Sequence, residues 1–205
     1  MAGYSDVKAV TITADTVALD ADGISVAASV GNNAALVIGG ALASGGAVAL
    51  SHGRIVTILS AGNDAAKSFT VVGTDINGDA QTESITGANA GTATGAVFFL
   101  SIASITAVGN PAGNVSAGVN ASAADVVFAG RSRLKGIYLT STATAGTVDF
   151  LTTSSSGTSI LGLSSVGDAD ATRDVVIPDE GVLFTDGIYV EYTVSTFLTM
   201  TVFHA

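Results

Sequence analysis

The sequence predicts an all-β protein, with two β-sandwich or jelly-roll-like modules behind an extended N-terminal arm. Three observations carry that prediction. Short runs rich in Val, Ile, Thr and Phe, residues suited to a pleated, half-buried surface, recur along the chain. Turn-forming Gly, Asn, Asp and Ser punctuate them about every 8–12 residues, the rhythm of sandwiches and jelly rolls. Apolar patterns of helical period are missing over any useful length.

The clearest stretch is Arg54–Ile105, which holds the runs Arg54–Ser60, Ser68–Thr74, Gln81–Thr86 and Val97–Ile105. Within Ser68–Thr74, Phe69, Val71 and Gly73 are expected on one face and Thr70, Val72 and Thr74 on the other. Asp75-Ile76-Asn77-Gly78-Asp79 carries the Asn-Gly pair that supplies positive φ between hairpin strands. Before it, residues 1–33 read as an arm. Val10–Thr13 is a strand, and Asp15, Asp20 and Asp22 surround Val17–Leu19. Such an arm is either an edge strand or a strap across a neighbouring subunit. Residues 34–53 are apolar pieces broken by Gly-Gly. Each glycine costs a helix about 1 kcal/mol relative to Ala, which favours strand-turn-strand over a helix. The central module spans 34–130, with a turn at Gly109-Asn110-Pro111. A boundary is expected at the basic cluster Arg131-Ser132-Arg133-Leu134-Lys135. The module 131–205 follows, with seven further runs ending in Ile188–Val194 and Phe197–Phe203.

Composition narrows the function. A chain of 205 residues can bury one good core or two small ones. Its apolar residues are mostly Ala and Val, with eight Phe, four Tyr and no Trp, so each strand brings a thin core. Sheets of this kind often gain stability from neighbouring chains. Charged residues make up 12%, against roughly a quarter in ordinary domains. The net charge of −10 repels phosphates and argues against nucleic-acid binding. The absence of cysteine excludes disulfides, thiolate catalysis and Cys-based zinc sites. MAGYSDVKAV is not a secretory signal by pattern. Ile24–Ser51 carries no formal charge, yet Asn32-Asn33, its glycine pairs and its few Leu and Phe favour turns and strands over a membrane span.

Motifs that could carry chemistry are few. Asp75-x-Asn77-Gly78-Asp79, with Glu83 nearby, places oxygens at alternate positions as a calcium loop does. The glycine falls at the fourth position rather than the sixth, and no Glu closes the loop at the twelfth, so a plain hairpin turn is the expectation. Asp168, Asp170, Asp174, Asp179 and Glu180 form an acidic stretch, read as a solvated loop with a docking surface as the alternative. Arg131, Arg133 and Lys135 would share one face of a strand. There they meet an acidic partner, or a neighbour's loop at 168–180, or simply keep a linker solvated. His52 and His204 are the only imidazoles. No G-x-S-x-G elbow, P-loop, H-E-x-x-H or dinucleotide fingerprint appears, so no catalytic residues and no cofactor are expected.

Several pieces resemble a module of tailed-bacteriophage structural proteins. They are Ser60–Asp64 (SAGND), Val72–Gly78 (VGTDING), Thr82–Ala88 (TESITGA) with Asn89–Thr92, and Ala112–Ser116 (AGNVS). Gly40–Leu50 is similar to the segment that leads into that module. Ile177–Phe184 (IPDEGVLF) and Gly187–Tyr192 (GIYVEY) are similar to a second β-module of such proteins. The resemblance implies a non-enzymatic virion component, assembled in the host cytoplasm. As a capsid decoration, or cement, protein it would be a homotrimer bound to the major capsid protein or other virion proteins, without nucleic acid or membrane. The alternative is a tail, fibre or adhesin subunit that binds host glycans, for which exposed aromatics at Tyr189 or Tyr192 would be the sign.

Overall fold

The computed structural model describes residues 6–153 and 158–205. Its strands are β1 (Lys8–Thr13), β2 (Asp20–Ser29), β3 (Ala43–Ser44), β4 (Ala47–Asn63), β5 (Ser68–Thr74), β6 (Ala80–Thr86), β7 (Asn89–Val108) and β8 (Asn114–Phe128). They continue as β9 (Ser132–Ser141), β10 (Ala145–Leu151), β11 (Ser159–Val166), β12 (Thr172–Val176), β13 (Val182–Phe184), β14 (Ile188–Thr193) and β15 (Phe197–His204). The all-β expectation is met, and the described residues contain no helix. No helix among them is long and apolar enough to cross a membrane.

The chain divides into two compact units. One is Ala18–Ala123; the other joins residues 6–17 to Ala124–Ala205. Of the segment 1–33, read as an edge strand or a strap, the described residues form an edge strand, β1, and a second strand, β2. β1 pairs antiparallel with β15, and β2 pairs with β8, so the segment is divided between the units. Backbone hydrogen bonding explains this: an extended run beside an open strand edge satisfies its N–H and C=O groups by pairing. The strand β8 also runs through the division, ahead of the basic cluster where a boundary was expected.

In the central unit the strand order is β8-β4-β7-β5-β6, with β3 on β4 and β2 on β8. The first half of β7 pairs with β4 and the second half with β5. Bulges in the β4–β7 ladder bend these long strands. The sheet curls until β6 lies beside the first half of β7, where side chains replace ladder bonds. Gln81 Nε2 donates to the Phe98 carbonyl at 2.8 Å, and Glu83 Oε1 accepts from the Ala96 N–H. Phe69 and Val71 point inward, as the alternation predicts, into a core with Ile24, Ile58, Phe99, Ile102 and Ile105. Gly73 sits where β5 slips register against β7; a Cβ there would lie 1.8 Å from the Ser101 carbonyl oxygen.

In the other unit a sheet of order β1-β15-β9-β12, with β13 on β9, packs against β11-β10-β14 as a sandwich. Leu134, Ile137, Leu139, Met200 and Val202 come inward from the first sheet; Val148, Phe150, Ile188 and Val190 come from the second. The Tyr192 and Phe197 rings meet between the sheets, 4.8 Å apart at 59°, a tilted aromatic pair.

Candidate binding cleft and assembly faces

The inner face of β1 carries Ile12, Val10 and then Lys8. Lys8 is the cross-strand neighbour of His204, at the end of β15. The core therefore stops here, and polar residues line a cleft of about 360 Å³. Its walls are Asp6, Lys8, Phe128, Arg131, Ser132, His204 and Ala205. His204 is buried and its ring lies 5.1 Å from that of Phe128. Ser132 Oγ donates to the Ala205 carbonyl at 3.1 Å and lies 3.0 Å from His204 Nδ1. Either the hydroxyl or the ring Nδ1 can be the donor of that contact, according to the tautomer. Burial first, and the Lys8 ammonium second, push the imidazole below its ordinary pKa. The pair of Ser132 and His204 latches β15 to β9. His52 lies half-buried on β4, in the central unit.

The predicted basic face is divided. Arg131 precedes β9 and lines the cleft, while Arg133 and Lys135 face outward from the strand. Those two meet the chain's own loop. Arg133 Nη2 lies 3.1 Å from Glu180 Oε2, Arg133 Nη1 donates to the Gly181 carbonyl, and Lys135 Nζ donates to the Asp179 carbonyl at 3.0 Å. Glu180 is 82% exposed, so the ion pair contributes at most about 1 kcal/mol. IPDEGVLF is thus a tight turn that offers carbonyls to two cations. At the other end of the acidic stretch, Asp168–Ala171 is a turn against Ser141, and Asp174 is exposed on β12.

Asp75, Asn77 and Asp79 form the turn between β5 and β6. Asp75 Oδ1 accepts from the Asn77 N–H at 2.8 Å and the Asp79 N–H at 2.9 Å, and Gly78 takes φ +88°. The carboxylate closes an Asx turn. Among the described residues no group of three or more His, Asp or Glu is placed to hold a metal ion. Tyr189 and Tyr192, where exposed aromatics would mark an adhesin, are both buried. Tyr192 is 1% exposed; its hydroxyl accepts from the Asp15 N–H at 3.1 Å and donates to Asp125 Oδ2 at 2.9 Å. Burial, and then the Asp125 charge, hold the phenol proton far above the ordinary range.

Sequence reasoning missed the role of Asp64. The fully buried carboxylate accepts from the Ala112 N–H at 2.7 Å, while the Asp64 N–H donates to the Ala88 carbonyl. Gly87 packs against it so closely that a Cβ would lie 2.7 Å from the Asp64 carbonyl oxygen. SAGND, TESITGA and AGNVS therefore meet at one residue. Arg54 is also fully buried and donates to the Asn120 carbonyl. The available signal was an isolated charge within an apolar run.

Both units present outer faces made largely of short side chains. Outside β1-β15-β9-β12, Thr13, Thr199, Thr140 and Thr172 stand in one cross-strand row. The next rows are Thr11-Thr201-Tyr138-Asp174 and Ala9-Phe203-Gly136-Val176, in which Asp174 is the one charged residue. Outside β6-β5-β7 the rows are Thr82-Val72-Ser104, Ser84-Thr70-Thr106 and Thr86-Ser68-Val108, all uncharged. No known family model matches this chain, and no curated protein matches it in sequence.

Proposed function

We propose that this chain is a non-enzymatic structural component of a tailed-phage virion. Its specific role is that of a capsid decoration protein, assembled as a trimer, that stabilises the head by bridging capsomers. The observation that carries the reading is the threonine row crossing four of the five strands of one sheet, within three neighbouring rows that hold one charge. Short, branched side chains on a rigid sheet lose little rotamer freedom when covered. An uncharged face also avoids the desolvation penalty of buried ions. Cementing needs shape and burial of roughly 1,200–2,000 Å² per contact rather than an active site. The resemblance of SAGND, VGTDING, TESITGA and AGNVS to phage structural modules supports the same assignment.

The test is to mix purified protein with expanded heads that lack it. Sedimentation gives the bound stoichiometry, and heating gives the disruption temperature. Saturable binding at a fixed ratio per capsomer, with a raised disruption temperature, is expected. The double variant Thr140→Lys/Thr199→Lys would abolish binding while leaving the protein's own melting temperature within a few degrees. Heads that ignore the wild-type protein would refute the proposal.

A further inference from the structure

The cleft at the open end of the sandwich goes beyond the assembly reading. Five of the seven cations of the chain lie in the unit built on β9 and β15. Arg133 and Lys135 are engaged by the Asp179–Gly181 turn. The side chains of Lys8 and Arg131 instead face one cleft, and neither side chain takes part in an ion pair or hydrogen bond among the described residues. On a chain of net charge −10, two cations converging on a concave site beside a single carboxylate side chain, Asp6, are a departure from the general field. The rest of the cleft is suited to an organic anion. Phe128 supplies an apolar wall, held in place by the His204 ring, and remains 36% exposed. His204 and Ser132 close the floor with their polar atoms bonded to each other and to Ala205. The volume, about 360 Å³, falls at the lower end of small-molecule sites and accommodates a single ring with its substituents.

We infer that this cleft binds a carboxylate-bearing ligand one sugar ring in size, a uronic acid or its equivalent. The carboxylate sits between Lys8 and Arg131, and the ring lies along Phe128. Arg131 presents the planar fork that matches a carboxylate, and Lys8 supplies a point charge. Asp6, the one carboxylate side chain lining the cleft, opposes the ligand and limits its affinity.

The experiment is a titration of the full chain with glucuronate, followed by backbone amide shifts, with glucose and inorganic phosphate as parallel probes. Glucuronate is expected to give saturable shifts at Lys8, Arg131 and His204. Its binding should weaken as sodium chloride is raised from 20 to about 200 mM, because exposed charges are screened. Arg131→Ala and Lys8→Ala should each weaken it about tenfold or more, the scale of one charge-assisted contact. Asp6→Asn should tighten it. Glucose should not bind, and phosphate should bind more weakly because it makes no use of Phe128. Melting curves confirm that each variant is folded. Unsaturable shifts, equal binding of glucose, phosphate binding as tight as glucuronate, or unchanged affinity in both cation variants would each overturn the assignment. None of these outcomes bears on attachment to heads, which is read separately.

Discussion

Replacing Tyr192 with Phe isolates one polar junction from its packing. The ring of Tyr192 is 1% exposed and tilts against Phe197, and Phe keeps that contact. What is lost is the hydroxyl, which joins the Asp15 N–H to the Asp125 carboxylate at 3.1 and 2.9 Å. A hydrogen bond to a charged group is worth about 1.5–3 kcal/mol net, and a buried N–H deprived of a partner costs about 1–3 kcal/mol. Water reaching the Asp125 side would recover part of this, so the expected loss is about 2–4 kcal/mol. In a unit of this size each kcal/mol moves the melting temperature by about 4–8 °C. Urea unfolding followed by near-ultraviolet circular dichroism measures it, with an unchanged denaturant slope showing that the same surface is exposed. Tyr192→Ala removes the ring as well and should cost about 3–5 kcal/mol more, or prevent folding. A Tyr192→Phe protein within about 0.5 kcal/mol of wild type would show that the hydroxyl does not tie residues 6–17 to this unit.

Three further outcomes follow from the geometry. Asp64→Ala should cost about 2–3 kcal/mol in urea unfolding, because it strands the Ala112 N–H, whereas Asp64→Asn keeps an acceptor and should lose less than half of that. Gly118→Ala would put a Cβ 1.8 Å from the Asp20 carbonyl oxygen, and backbone cannot swing away as a side chain does, so a loss of about 3 kcal/mol is expected in the same assay. Glu191 stands opposite Asp149 on adjacent strands; burial, and then that like charge, raise its pKa above 4.5. The folded state therefore holds its proton longer than the unfolded state. Its contribution is favourable at low pH and is lost as pH rises from 4.5 through the folded value, so Glu191→Gln should raise the melting temperature at pH 7 and flatten that part of the stability profile.

The strands were legible because their signals are local. Ser68–Thr74 alternates Phe69 and Val71 against threonines, and Asn77-Gly78 closes the hairpin, so residues within a few positions settle both strand and turn. The division of the chain depended instead on pairings between distant residues. Nothing near Lys8–Thr13 announces that its partner is Phe197–His204, and nothing near Asp20 announces Val119. The buried tyrosines failed for a related reason. Tyr189 and Tyr192 lie on one strand at odd spacing, and their burial is set by the facing sheet and by the chain at Gly187, not by their neighbours in sequence. The basic cluster alternated as expected at Arg133 and Lys135, yet Arg131 falls before the strand begins and points into a different setting. Asp64 lies within SAGND without any local sign that it is a junction, because its partners Ala88 and Ala112 come from two other segments.

The most direct measurement of the central proposal is an electron cryomicroscopy reconstruction of the intact particle that carries this protein. The proposal predicts density matching both units at a fixed number of copies around each capsomer, with the threonine face of β1-β15-β9-β12 covered by capsid subunits. Density for the chain only along the tail would contradict it.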